Sequence, residues 1–346
     1  MSTPPTLPDA VLRRAPSREA LATMAAAIRP GSQVGAIRRL RGGVSSGMHA
    51  VQLRGPGTEQ QWVVVRRYGA WRLQHDPHVA ERERATLAAL ARVGAPAPLP
   101  IWLDASGAVF GCQTLVTSRV PGRGLLAPRD LDGWVRQLAE ALARIHAAPL
   151  HTDELSLLID QRDAPARLLE RAEPPDFLVE RRLGSEVWYA LHERWPRIAP
   201  VRQPAIVHGD FWPGNTLFRY GKLSAVVDWE QVVRGDPAQD VACCRLDLTL
   251  LSGMPAADAF LDAYLAVSGR ALHDLAFWEL YQSTWAIETL EEWVKGYADL
   301  GRTDLTSTVA HARLERFVAG AMARAAMTDR PSQTEPDPSS EHVAGG

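Results

Sequence analysis

The spacing of apolar and polar positions divides the chain into a β-rich first third and a largely helical remainder. Ser17 is placed to cap a helix running to about Ile28, where Pro30-Gly31 stops it. From Gln33 the apolar positions alternate. Val34–Arg41, Met48–Leu53 and Trp62–Arg67 read as three strands of a meander, joined by turns at 42–47 and 55–57. Helical spacing returns over Pro77–Val93, with Ala80, Leu87, Leu90 and Ala91 on one side, and Gly94 and Pro96 end it. Val109–Cys112 and Leu115–Val120 read as two further strands, closed by Pro121-Gly122.

Beyond residue 130 the period becomes that of amphipathic helices. Leu131–Ala148, Phe177–His192, Ala238–Leu251, Ala256–Val267, Leu275–Tyr297 and Leu305–Met327 all fit. One β-rich interruption lies between Ala205 and Val233. The pattern predicts a five-stranded lobe with one helix, a connector near 117–124, and a helical lobe carrying a small β insertion. Thr328 to Gly346, rich in Pro, Ser, Glu and Gly, reads as a disordered tail.

Composition narrows the class. With 346 residues, 46% apolar and 23% charged, the chain can bury a sizeable core. No stretch approaches 18 consecutive apolar residues, and the first 16 lack an apolar signal core, so neither a membrane partner nor secretion is expected. Three cysteines, two adjacent at Cys243-Cys244, form neither a disulfide framework nor a zinc spacing; a reducing cytoplasm is the expected home. The net charge of −2 argues against a nucleic-acid partner. That charge is unevenly placed: residues 1–100 hold 14 arginines against 6 acids, and the rest hold 24 basic and 34 acidic groups. Lys222 and Lys295 are the two lysines, so any task that needs a cation in the first 200 residues falls to arginine or to backbone amides.

The interruption carries the chemistry. A strand runs into Ile206-Val207-His208-Gly209-Asp210, an amide follows five residues later at Asn215, and a second strand ends in Val226-Val227-Asp228-Trp229-Glu230. Phosphoryl transfer needs a carboxylate to take the proton of an attacking hydroxyl and oxygen ligands for Mg²⁺ beside the nucleotide phosphates. Asp210 suits the first task, and Asn215 and Asp228 the second.

His208-Gly209-Asp210 with Asn215 resembles the H-G-D-x-x-x-x-N signature of the aminoglycoside phosphotransferase family, and Val226-Val227-Asp228 is similar to its metal-binding strand. The resemblance spans roughly Gln33 to Met327. It implies an α+β, protein-kinase-like two-lobed fold, with a small antiparallel N-terminal β-lobe bearing one helix and a larger helical C-lobe. The expected divisions are a flexible N-terminus (1–16), an N-lobe (17–120), a C-lobe (121–327) and the tail (328–346). The implied activity is ATP- and Mg²⁺-dependent phosphorylation of a hydroxyl on a small molecule, with GTP an alternative donor.

The resemblance also assigns the upstream lobe. The turn at 42–47, with Gly43, Ser45 and Ser46, would cover the phosphates. Arg66 stands where the better-known kinases have lysine, oriented by Glu83; arginine binds phosphate but with different reach and geometry. Leu115 to Gly122, with Thr117 and Val120, would receive the adenine. Gly235-Asp236-Pro237 with Asp240 resembles the family's G-D-P-x-x-D: Asp240 is expected to brace the catalytic loop, Asp236 to cap the next helix, and His208 to position the loop.

Other features read as structural. Cys243-Cys244 is expected in the core, and Trp278, Tyr281 and Trp285 as a buried stripe. Acids outnumber basic residues 8 to 2 between Leu251 and Leu300. In the family that the chain resembles, the late helices of the C-lobe line the acceptor cleft. The resemblance thus implies that some of Glu288, Glu291 and Glu292 face it and favours a cationic, amine-bearing acceptor, against the default of a solvated acidic face. Two rivals stand beside the kinase reading. One is a nucleotide-binding pseudokinase serving as a regulatory module; the other is a metal-dependent hydrolase using His208 and Asp210, for which further ligands are lacking. Oligomeric state is open.

Overall fold

The computed structural model describes residues 6–40, 46–55 and 60–328. Gly43, Ser45 and nearly all of the expected tail lie outside these residues. The first elements are α1 (Asp9–Leu12), α2 (Arg18–Ile28), β1 (Gln33–Arg39), β2 (Ser46–Arg54), β3 (Gln60–Tyr68), α3 (Ala70–His75), α4 (Val79–Arg92), β4 (Pro100–Asp104) and β5 (Thr114–Ser118). The strands form one antiparallel sheet in the order β1-β2-β3-β5-β4. Ser17 caps α2 through a 3.1 Å bond from the Ala20 amide, and the apolar face of that helix (Leu21, Met24, Ala25) packs on Val51, Val63, Val65 and Val116 of the sheet. α4 joins instead the core that α5 and α11 share.

Two expectations for this lobe are corrected. Val109–Cys112 is a turn, and the fifth strand is Pro100–Asp104. The cause is Asp104, whose carboxylate accepts the backbone N–H groups of Ala108 (3.0 Å), Val109 (2.9 Å) and Phe110 (3.1 Å) and folds that segment into a loop against its own strand. The stretch expected to be a flexible N-terminus contains α1. Leu12 is buried, and the carbonyls of Leu12 and Arg14 both accept from the Arg67 guanidinium.

The C-lobe continues with α5 (Leu131–His146), α6 (Thr152–Leu157), β6 (Ile159–Asp160), α7 (Asp163–Leu169), α8 (Asp176–Val179), α9 (Gly184–Arg194), β7 (Ala205–Val207), β8 (Thr216–Arg219), β9 (Lys222–Val226), β10 (Val233–Gly235), α10 (Ala238–Ser252), α11 (Met254–Ser268), α12 (Leu275–Asp299) and α13 (Ser307–Thr328). The single helix expected over Phe177–His192 is two, α8 and α9. Leu183 turns left-handed (φ 68°) between them, and Gly184 sits so close to the Leu178 carbonyl that a Cβ would come within 1.9 Å of its oxygen. α10 is buried on almost every side, which makes it the central post of the lobe. α12 kinks at Thr289 (φ −125°, ψ 20°). Trp278 and Tyr281 are core residues, whereas Trp285 is 50% exposed, so the expected aromatic stripe covers only its first two members.

The small strands place the chemistry. β10 lies between β6, to which it runs parallel, and β7, to which it runs antiparallel. β8 and β9 form a separate hairpin. β7 therefore delivers residues 208–210 and β9 delivers residues 227–230 to the same end of the lobe. No helix of the described residues is long and apolar enough to cross a membrane.

Asp104→Ala would leave three backbone donors without their acceptor. We expect a loss of about 1–3 kcal/mol, read as a lower urea midpoint at unchanged m-value.

Candidate active site

The loop after β7 is fixed by a buried carboxylate beneath it. Asp240, at the start of α10, accepts the His208 amide at 2.6 Å and the Gly209 amide at 2.9 Å, and His146 of α5 approaches it at 3.1 Å. Gly209 has φ +83°, and a Cβ there would lie 2.4 Å from the Gln231 carbonyl oxygen, so the turn requires glycine. Asp240 therefore braces the loop, as the sequence implies. Asp236 caps α10 by accepting the Ala238 amide at 2.8 Å.

His208 is fully buried and neutral. Its Nε2–H donates to the Val227 carbonyl (3.0 Å), which leaves Nδ1 to accept the Asp210 amide at 3.3 Å. Burial pushes its pKa down despite the nearby Asp240 charge. With both ring nitrogens engaged by the main chain, His208 ties the loop to the strand end that carries Asp228.

Asp210 accepts from Asn215 Nδ2 at Oδ2 (2.9 Å), and the same amide also donates to the Asp210 carbonyl at 2.9 Å. Burial, followed by the charges of Asp228 and Asp247, holds the Asp210 carboxyl well above the ordinary aspartate range. Asp228 sits in the left-handed region (φ 70°, ψ 62°), followed by a 3₁₀ turn over Trp229–Gln231. A non-glycine residue held there is a local strain of the kind that clusters at functional sites. Burial lifts its carboxyl, but the Arg66 guanidinium more than reverses this, so Asp228 titrates below its usual range.

Arg66 joins the lobes. It lies on β3, and its Nη1 donates to both oxygens of Glu83 on α4 (3.1 and 3.3 Å). Nη2 donates to Asp228 Oδ1 and to Glu230 Oε2 (3.1 Å), and Nε to Ser46 Oγ (3.2 Å). Tyr68 donates its hydroxyl to Glu83 Oε2 at 2.6 Å. Burial acts to lower the Arg66 pKa, and Glu83, Asp228 and Glu230 outweigh it, so the guanidinium is locked in its charged form. Thr117 is buried in β5, paired in register with Val64 and Pro100; Val120 follows where the chain leaves the sheet.

The structure thus brings Asp210, Asn215, Asp228, Arg66, Glu83 and Ser46 into one continuous constellation. It adds residues that sequence reasoning left unassigned. Glu230 follows Asp228 by two positions and receives Arg66. Arg72 lies on α3, a helix too short for periodicity to reveal, and donates to the Glu230 carbonyl. On the far side of the loop, Trp212 lies against Tyr297 of α12 (ring centroids 5.9 Å), whose hydroxyl donates to buried Asp247 of α10 at 2.5 Å. Gly214 is bare beneath the Trp212 ring, since a Cβ would come within 2.0 Å of it. Of the expected acidic face, Glu288 is half-buried. Glu291 and Glu292 are exposed, and Glu291 is bound by Ser307 (2.6 Å) and His311 (3.1 Å) of α13.

The comparisons agree with this architecture. The model of the phosphotransferase enzyme family matches residues 36–305, and the chain belongs to that family. Its fold is the two-lobed, kinase-like one: the crystal structure of aminoglycoside phosphotransferase APH(4)-Ia superposes with a TM-score of 0.58 at 18% identity, covering 89% of this chain and 99% of that one. A thermostable mutant of APH(4)-Ia has been solved in a ternary complex with ADP and hygromycin B. Among relatives, acyl-CoA dehydrogenase family member 10 of Mus musculus is 27% identical over 247 residues, 67% of this chain. A homoserine kinase of Chelativorans sp. (strain BNC1) is 31% identical over 164 residues, 45% of this chain. The chain spans 22% and 48% of these two relatives' lengths.

Asp247 yields a pH prediction. Burial pushes its carboxyl up to about 7, so between roughly pH 4 and 7 the folded chain keeps a proton that the unfolded chain releases. The folded state then binds more protons, and this group's contribution makes stability fall as pH rises across that window, by at most about 4 kcal/mol. Asp247→Asn should flatten that decline in Tm measured between pH 4.5 and 7; an unchanged profile would assign the decline to other groups.

Proposed function

We propose that the chain is an ATP- and Mg²⁺-dependent phosphotransferase that transfers a phosphoryl group to a hydroxyl of a small molecule, with GTP an alternative donor. The observation carrying this reading is the arrangement of Asp210, oriented by Asn215 on a loop whose amides Asp240 fixes, and Asp228, oriented by Arg66 at the end of β9.

Asn215 and Asp228 offer the hard oxygen donors that Mg²⁺ takes, and Mg²⁺ commonly uses one or two carboxylates with water and substrate phosphates completing the shell. Among the described residues no group of three or more His, Cys, Asp or Glu forms a metal cage, which suits an ion that arrives with its nucleotide. Such an ion would neutralise charge developing on the phosphates. The chain's own residues do the rest. Asp210 accepts the hydroxyl proton at Oδ1, the oxygen left by the Asn215 bond, and orients the nucleophile. Arg66, steadied by Glu83, provides the phosphate-side cation together with Gly43, Ser45 and Ser46, after exchanging Asp228 and Glu230 for phosphate oxygens. Thr117 and Val120 lie at the connector that would receive the base. His208 holds the loop and transfers no proton, since its Nε2–H stays on the Val227 carbonyl.

The acceptor is a hydroxylated small molecule. Asp247, beside Tyr297 and the Trp212 loop, is buried and holds its proton up to about pH 7, so the preference for an amine-bearing compound rests on Glu288, Glu291 and Glu292 of α12. Three free, buried cysteines suit a reducing cytoplasm. One observation favours the regulatory reading: three carboxylates already occupy Arg66. That reading requires nucleotide binding without turnover.

The test is ADP release against a panel of cationic, neutral and anionic hydroxyl compounds, with and without Mg²⁺. Turnover dependent on both metal and acceptor is expected, and nucleotide binding with no turnover on any acceptor would favour the regulatory module. Asp210→Asn should lower kcat by about 10²–10⁴-fold with little change in nucleotide affinity. Asp228→Ala should remove the Mg²⁺-dependent part of the rise in Tm that ATP produces.

A further inference from the structure

The guanidinium assigned to the donor phosphates has no N–H left over. Its Nε–H goes to Ser46 Oγ at 3.2 Å, and Nη1 serves the two oxygens of Glu83 at 3.1 and 3.3 Å. Nη2 serves Asp228 Oδ1 and Glu230 Oε2, the latter at 3.1 Å. An arginine carries five N–H groups in a rigid fork. A phosphate oxygen therefore gains one of them only where a carboxylate lets go.

The three acids differ in their freedom to do so. Glu83 is buried with Arg66 on the N-lobe side, and Tyr68 donates to it at 2.6 Å. Asp228 is the most open of the three, its side chain 32% exposed against 14% for Glu230, and it is also the acid offered to Mg²⁺. Glu230 stands on a backbone held from several directions. Arg72 donates to its carbonyl, buried Trp229 before it donates Nε1–H to the Val226 carbonyl at 2.9 Å, and the Val232 amide closes the turn on the Trp229 carbonyl at 3.2 Å.

A polyphosphate arriving without metal thus meets two carboxylates at the N–H pair it needs. Displacing either one strands an oxygen beside a phosphate of like charge, which is unfavourable in a partly buried site. In the presence of Mg²⁺, Asp228 can turn to the ion and so release one Nη2–H. Glu230 retains the other and keeps the fork aimed. We propose that Glu230 is a specificity-determining residue of the donor site: its carboxylate keeps Arg66 closed to metal-free nucleotide, while Asp228 opens it to the metal-complexed form. This rests on the kinase reading of the cleft and gives a role to the acid two positions after Asp228.

Isothermal calorimetry of the full chain with AMP-PNP, in Mg²⁺ or in EDTA at matched ionic strength, tests it. The wild-type chain should bind the Mg²⁺ complex at least about tenfold more tightly than metal-free AMP-PNP. Glu230→Gln keeps an acceptor oxygen but loses the charge. It should tighten metal-free binding at least about fivefold and alter binding of the Mg²⁺ complex by less than about twofold. Glu230→Asp, which retains the charge, should stay closer to the wild-type preference. Thermal unfolding without nucleotide checks that each variant is folded, and Glu230→Ala replaces Glu230→Gln if that variant is not. A merely structural tie between the lobes would shift both affinities together. An unchanged ratio in a folded neutral variant would therefore overturn the proposal, as would equal wild-type affinity in Mg²⁺ and EDTA. A wild-type chain that binds AMP-PNP under neither condition would overturn the kinase reading itself, and the proposal with it.

Discussion

One guanidinium holds the candidate site together. Arg66 is buried among Glu83, Asp228 and Glu230, and these acids come from α4 on one side of the cleft and from the β9 end on the other. Remove that cation and three carboxylates face one another with little solvent between them, an arrangement that costs several kcal/mol unless protons are taken up. The requirement propagates. Tyr68 must donate to Glu83, Arg72 must hold the Glu230 main chain, and Asp228 must adopt a left-handed backbone to present its carboxylate to β3. Arginine suits this position because its fork reaches separate acids simultaneously, which the point charge of lysine does less well.

Beneath the loop the same logic runs with the opposite sign. Asp240 is a buried acid whose partners are main-chain amides and a histidine. Its two oxygens fix the backbone on which Asp210 stands, and His208 transmits that fixation to the Val227 carbonyl next to Asp228. The two acids proposed for chemistry are thus positioned from different directions, one by the C-lobe core and the other by the N-lobe sheet. Relative movement of the lobes would alter the Arg66–Asp228 contact before it disturbed Asp210.

The sequence made the two lobes and the central constellation legible because each rests on short-range pattern. Strand alternation, the Ser17 cap and the spacing of His208, Asp210, Asn215 and Asp228 are all local. What it hid depends on contacts between distant segments. The apolar run Val109–Cys112 reads as a strand, whereas three amides bound by Asp104 fold it into a turn. The helix over Phe177–His192 breaks at left-handed Leu183, and the close approach of Gly184 to the Leu178 carbonyl sets that break. Asp247 and Tyr297 are fifty residues apart, and nothing near either one announces that they meet. Glu291 and Glu292 are exposed, as on a solvated face, and charge clustering along one helix says nothing about which face that helix turns to the cleft.

The claim on which the account rests is that Arg66 couples energetically to Asp228 across the cleft. A double-mutant cycle of Arg66→Gln and Asp228→Asn, measured by urea unfolding without nucleotide or divalent metal, tests it directly. The account predicts a favourable coupling of about 1.5 kcal/mol or more, the double variant being less destabilised than the sum of the singles. Strict additivity, within about 0.5 kcal/mol, would contradict it.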